Sequence, residues 1–156
     1  MESIQFKVEH SQEDDYEILN IYINDENLIE FIKRFEMQFQ PNIAGGYEGL
    51  NINFITDICE HFSGELNEND LFNYGGKTQI LGCNCGEPGC WPLLVKITVK
   101  DQHIIWSDFE QPHRSEESEG GFWNYSQVAP LEFNRKVYEE QLKSIERYRK
   151  PSETQE

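Results

Sequence analysis

Between Gly82 and Pro92 the chain reads Gly-Cys-Asn-Cys-Gly-Glu-Pro-Gly-Cys-Trp-Pro, and this short stretch carries three of the four cysteines. Cys83 and Cys85 are two residues apart, so in an extended backbone both thiols lean to one side. Cys90 returns after Gly86, Pro88 and Gly89, residues that supply the backbone freedom and the preset turn a tight reversal needs. Zinc asks for four ligands in a tetrahedron, with sulfur at about 2.3 Å, and one loop offers three thiolates. The fourth ligand has to come from elsewhere, with Cys59, His113, His103 and His61 as candidates. His113 and Cys59 lead. His113 follows a strand expected to pair back toward the knuckle, and Cys59 would complete an all-thiolate site. The plainer alternatives stay open: reduced, unliganded cysteines on a glycine-rich turn, or a strained disulfide. The metal expectation is a structural zinc on Cys83, Cys85, Cys90 and His113, with Cys59 as the other fourth ligand.

The spacing Cys83-x-Cys85-x4-Cys90 resembles the zinc knuckle that follows SET methyltransferase domains. No SET-type signature precedes it, so the likeness implies a zinc loop and no methyltransferase activity. A wider pattern runs from Cys83-x-Cys85-Gly86 through Gly89-Cys90-Trp91-Pro92-Leu93 and Trp106-x-Asp108-Phe109-x-Gln111-Pro112-His113-Arg114 to Trp123-x-Tyr125. It is similar to a family of small bacterial proteins, over roughly Gly46 to Leu142. That resemblance implies a self-contained bacterial domain and brings no mechanism with it.

At 156 residues the chain fits a single domain, expected over residues 1–150, with 151–156 as a disordered tail. Hydrophobic content is 37% but aromatics reach 13%, and large rings bury much area per residue, so a real core is affordable with few of them. No apolar run is long enough for a membrane span, and the N-terminus has no basic segment followed by an apolar one. The expectation is therefore a cytoplasmic protein whose cysteines serve as thiols or metal ligands. Net charge is −16 and unevenly spread: residues 1–70 hold 16 acids against 3 bases, while residues 121–156 balance at 6 and 6. Such a field opposes phosphate backbones and anionic membranes and favours a basic protein partner.

Hydrophobic periodicity predicts an α+β fold: a mostly antiparallel sheet with a central hairpin, and two or three helices including one at the C-terminus. Ile4, Phe6 and Val8 alternate as a strand, and Leu19, Ile21 and Ile23 as its antiparallel partner. Asn24 or Asp25 is placed to cap a helix carrying Leu28, Ile32, Phe35 and Phe39, stopped by Pro41. Gly45 to Gly49 reads as a loop without the pattern that cradles phosphate. A short helix with Ile58 and Phe62 on one face follows, with Cys59 beside that face and His61 toward solvent. Strands are expected from Thr78 to Leu81, from Leu93 to Val99 and from His103 to Ser107, the last two as a hairpin that returns the Gln111–Arg114 segment to the cysteine loop. Ser115 to Gly121 reads as a mobile acidic loop. Leu131 to Phe133 is an edge strand, and Asn134 caps a final helix with Tyr138, Leu142 and Ile145 inward.

Two functions compete. The first is an acidic binding protein for a basic partner, for instance an immunity protein against a basic toxin, with the zinc as a staple. The second is a small hydrolase or thiol-dependent enzyme, with His113 as base, Asp108 or Glu87 orienting it and Arg114 holding an anion, or with a thiolate nucleophile among Cys83, Cys85 and Cys90. No H-E-x-x-H, G-x-S-x-G or C-x-x-C spacing is present, which favours the first reading. Trp91 and Tyr125 as stacking platforms for nucleic acid lack the surrounding bases that such modules carry.

Overall fold

The alternation at the N-terminus folds as read: Ile4–His10 forms strand β1 and Glu17–Ile23 forms β2, antiparallel, with Ile4 opposite Ile23 and His10 opposite Glu17. The computed structural model describes residues 1–11, 15–84, 91–114 and 122–149. Cys85, Cys90 and Glu87, the stretch Ser115–Gly121 and the tail 151–156 lie outside the described residues. Among the described residues are nine strands and three helices, a single α+β domain.

After β2 the chain departs from the expected helix start. Asn24 (φ 51°) and Asp25 (φ 69°) take left-handed backbone and turn the chain into β3 (Glu26–Asn27), which pairs back on β2. Such two-residue hairpins favour residues that tolerate positive φ, as Asn and Asp do. The cap is therefore Asn27, whose side chain accepts the Ile29 N–H at 2.8 Å and opens helix α1 (Leu28–Glu36). The helix also stops early. Glu36 is its last residue, the Glu36 carbonyl takes the Phe39 N–H at 2.9 Å, and Phe39 stacks on Trp123 with ring centroids 5.7 Å apart.

The Gly45–Gly49 region is not all loop, because Tyr47–Asn51 is strand β4, paired to β2 on one side. A Cβ on Gly49 would stand 2.5 Å from the Leu19 carbonyl oxygen, so glycine is what lets the two backbones approach. A 3₁₀ turn (Ile52–Phe54) leads to the short helix α2 (Ile58–His61). His61 does not face solvent: it is 1% exposed, and its Nε2 lies 2.7 Å from the Gln79 carbonyl. The expectation failed because the helix is one turn long and covered on both sides, so the polar ring had to find a buried acceptor.

Next come β5 (Asn73–Tyr74), β6 (Lys77–Cys83), β7 (Leu93–Val99), β8 (His103–Glu110), β9 (Leu131–Asn134) and helix α3 (Arg135–Arg149). Asn134 caps α3 as expected, accepting the Val137 N–H at 3.0 Å. The strands pair in the order β1-β2-β4-β6-β7-β8-β9, all antiparallel. The sheet curls until its ends meet, for the Glu2 N–H donates to the Glu132 carbonyl of β9 at 2.8 Å. Helix α3 lies along that seam. Gln141 donates from Nε2 to the Ile4 carbonyl (2.6 Å) and accepts the Phe6 N–H (2.9 Å), taking the place of a neighbouring strand.

Inside the curl, Phe6, Phe62, Trp106, Phe133 and Tyr138 form an aromatic nest with neighbouring centroids 5.0 to 6.3 Å apart. Its polar tips are satisfied: Trp106 donates to the Tyr138 hydroxyl at 3.0 Å, and Tyr138 donates to the Phe62 carbonyl. Fully burying each such ring contributes about 1.5–3 kcal/mol, so this nest carries much of the stability.

Candidate functional site

A second aromatic group sits where α1 ends. Phe35 meets Tyr125 (5.1 Å), Phe39 stacks on Trp123, and Trp91 stands edge-on to Trp123 at 5.7 Å. Under these rings lies a buried polar cluster. Glu36 has no exposed surface; its carboxylate accepts the Gly45 N–H (2.9 Å), the Tyr47 hydroxyl (2.5 Å) and the Tyr125 hydroxyl. Gln111 donates to the Tyr47 hydroxyl at 3.3 Å. Gly45 can present its N–H because it takes φ +71°, with α1's Lys33 side chain so near that a Cβ would meet it at 2.7 Å. Burial pushes Glu36 up towards its protonated form, opposed by its three donors and by the Arg114 charge. Burial first, and the neighbouring charges after it, drive Tyr47 and Tyr125 far above the ordinary phenol range.

The Gln111–Arg114 turn sorts its side chains in opposite directions. The Gln111 side chain accepts the His113 N–H at 3.2 Å and its carbonyl accepts the Arg114 N–H at 3.2 Å. His113 is left exposed, while Arg114 turns inward to 9% exposure. The Arg114 guanidinium lies 4.6 Å from the Trp123 ring and 5.8 Å from the Trp91 ring. This segment and the end of the cysteine stretch therefore do meet, through Arg114 and Trp91. Asp108 sits on the exposed bulge of β8 with φ 55°, held there by the register shift between β7 and β8.

Cys83 closes β6, opposite Tyr47 of β4, and is 9% exposed. It lines a cavity of about 480 Å³ together with Lys33, Gly45, Gly46, Asn84 and Trp91. Asn84 and Trp91 bracket the segment that holds Cys85 and Cys90, so the described ends of the cysteine loop share this cavity. Cys59 lies elsewhere, half-buried on α2 against α3, in a hollow with Tyr138, Leu142 and Lys143. Burial, followed by the Asp57 and Glu146 charges, pushes its thiol up. His61 is committed to Gln79, and His103 pairs with Glu132 at 3.2 Å on the β8–β9 edge. Among the described residues, no three His, Cys, Asp or Glu side chains gather into a metal-holding group. Likewise, no helix of the described residues is long and apolar enough to cross a membrane.

On the outer face of β1, β2 and β4 lies a separate acidic groove of about 390 Å³, lined in part by Glu9, His10, Asn20, Tyr22 and Glu48. Glu9 accepts the Tyr22 hydroxyl and the Asn20 amide through Oε1, each at 2.7 Å. Glu48 accepts the Tyr16 hydroxyl at 2.7 Å and the Ser11 hydroxyl at 3.1 Å. The Tyr22 hydrogen bond, and after it the Asn20 one, hold the Glu9 carboxyl below its usual range, so it stays charged.

Sequence reasoning missed Glu36, although a signal was there. Leu28, Ile32 and Glu36 fall at i, i+4 and i+8, so the carboxylate stands on the buried stripe where an apolar residue belongs. No protein-family model, curated protein or solved structure matches the chain.

Proposed function

We propose that this chain is a binding protein that receives a basic partner on the acidic groove of β1, β2 and β4. The observation that carries the reading is the fixed pair Glu9 and Glu48. Both carboxylates are held by neighbouring hydroxyl or amide groups: Glu9 accepts from Tyr22 and Asn20 through Oε1, and Glu48 from Tyr16 and Ser11. Carboxylates ordered in advance lose little side-chain entropy on meeting a guanidinium or ammonium group, which favours specific recognition over loose charge attraction. An immunity-type role against a basic toxin is one form such a partner could take.

A short arginine-rich peptide serves as probe. Wild-type protein should bind it with an affinity that falls steeply with salt. Glu9→Gln together with Glu48→Gln should weaken binding about ten-fold, a loss of about 1.4 kcal/mol, while Glu139→Gln with Glu140→Gln on α3 should not. Equal loss from both pairs would reduce the effect to net charge and end the reading.

The proposal retains a structural zinc on the cysteine loop, with Cys83, Cys85 and Cys90 as thiolates. His113 is the better fourth ligand, because it is exposed two residues from buried Gln111 on the segment that reaches Trp91, whereas Cys59 is packed against α3. Elemental analysis of purified protein should find about one zinc per chain, lost in Cys83→Ser and depleted in His113→Ala. Metal-free protein with freely titrating thiols would remove it.

A further inference from the structure

Arg114 is 9% exposed, yet its Nε and Nη2 are buried with no hydrogen-bond partner among the described residues. The guanidinium has only donors and no acceptor of its own, and a buried cation without an acceptor is unfavourable. Nε and Nη2 lie along one edge of the guanidinium, the edge that grips a carboxylate through two parallel hydrogen bonds. The guanidinium lies 4.6 Å from the Trp123 ring and 5.8 Å from the Trp91 ring, and the two ring centroids are 5.7 Å apart, so both indoles stand on one side of it. The two indoles repeat the pattern, for Trp91 Nε1 and Trp123 Nε1 are also buried without a partner. Four donor nitrogens without a partner among the described residues are thus assembled in one place. Glu36 does not answer them, because its oxygens are taken by Gly45, Tyr47 and Tyr125 and its influence on Arg114 is through space.

We propose that Arg114, Trp91 and Trp123 form a receptor for one carboxylate group of a small molecule. Trp91 connects it to the outside, since the same residue lines the 480 Å³ cavity beside Gly45 and Gly46, with the Lys33 side chain at its wall. A monoanion matches the single charge of Arg114. A phosphate dianion would bring excess negative charge next to buried Glu36 in a chain of net charge −16. This site is independent of the acidic groove: it selects the opposite charge and stands or falls separately.

The test titrates the full chain with sodium acetate, with inorganic phosphate, and with sodium chloride at matched ionic strength, following indole emission and melting temperature. Acetate should give a saturable change in emission and raise the melting temperature, and chloride should do neither. Arg114→Lys keeps the charge and loses the two-pronged edge, so acetate affinity should fall about ten-fold or more. Trp91→Phe keeps a ring over Arg114 and removes only the N–H, and should weaken acetate by about three-fold even if Arg114→Lys folds poorly. A saturable acetate response that both variants preserve would overturn the assignment. So would no acetate response at all, or tighter binding of phosphate than of acetate.

Discussion

Replacing Glu36 by leucine should cost the protein about 3–5 kcal/mol, although leucine suits the helix and its apolar stripe. The change strands three buried donors at once, the Gly45 N–H and the Tyr47 and Tyr125 hydroxyls, and withdraws a carboxylate that interacts with the Arg114 charge. Each stranded donor alone costs about 1–3 kcal/mol, offset in part by no longer burying a carboxylate. For a domain of this size the melting temperature should drop by about 10 °C. Urea denaturation checks it, with the midpoint moving and the slope unchanged. Tyr125→Phe in the Glu36→Leu background should then cost less than it does in wild type, because the hydroxyl it removes has already lost its acceptor. A Glu36→Leu protein within about 0.5 kcal/mol of wild type would show that the cluster is not holding the end of α1.

Acid should destabilise the protein through His61 well before most carboxylates titrate. Burial holds its pKa down at about 4, against 6.5 for the free side chain, and its contact with the Gln79 carbonyl offsets this only in part. The unfolded chain therefore takes up a proton that the folded one refuses between pH 6.5 and about 4. Stability from this group is complete above the upper limit and drains away as pH falls, by roughly 3 kcal/mol over the window. Glu36 works in the opposite direction, since a carboxyl raised by burial gains relative stability as it protonates. The His61 share is isolated by comparing wild type with His61→Gln, whose stability should vary less with pH across that interval. Parallel curves for the two proteins would place the acid sensitivity elsewhere.

Much of the framework could be read from residue spacing. The alternation of Ile4, Phe6 and Val8 against Leu19, Ile21 and Ile23, the β7–β8 hairpin and the Asn134-capped helix all rest on local patterns, and local patterns survive folding. The errors share one cause, which is that tertiary contact outranked local preference. Gly45 to Gly49 reads as loop because of its glycines, yet Tyr47–Asn51 is a strand and Gly49 is there to let two strands approach. His61 reads as the solvent side of a short amphipathic helix, yet Gln79, eighteen residues later, supplies its acceptor. The candidate site was half visible. Arg114 and the cysteine stretch were expected to meet and do so through Trp91, but nothing local announces that Glu36, Tyr47, Gln111 and Tyr125 share one cluster. Only the carboxylate's place on the α1 stripe hints at it.

The amide of Gln141 has a consequence for how this protein can meet others. By occupying the Ile4 carbonyl and the Phe6 amide, it removes the hydrogen-bonding row that a foreign strand would need in order to extend the sheet. The Glu2–Glu132 link closes the adjoining corner. Polymerisation by edge-to-edge stacking is thereby blocked at the first half of β1, and a visiting chain is left to recognise side chains instead of backbone.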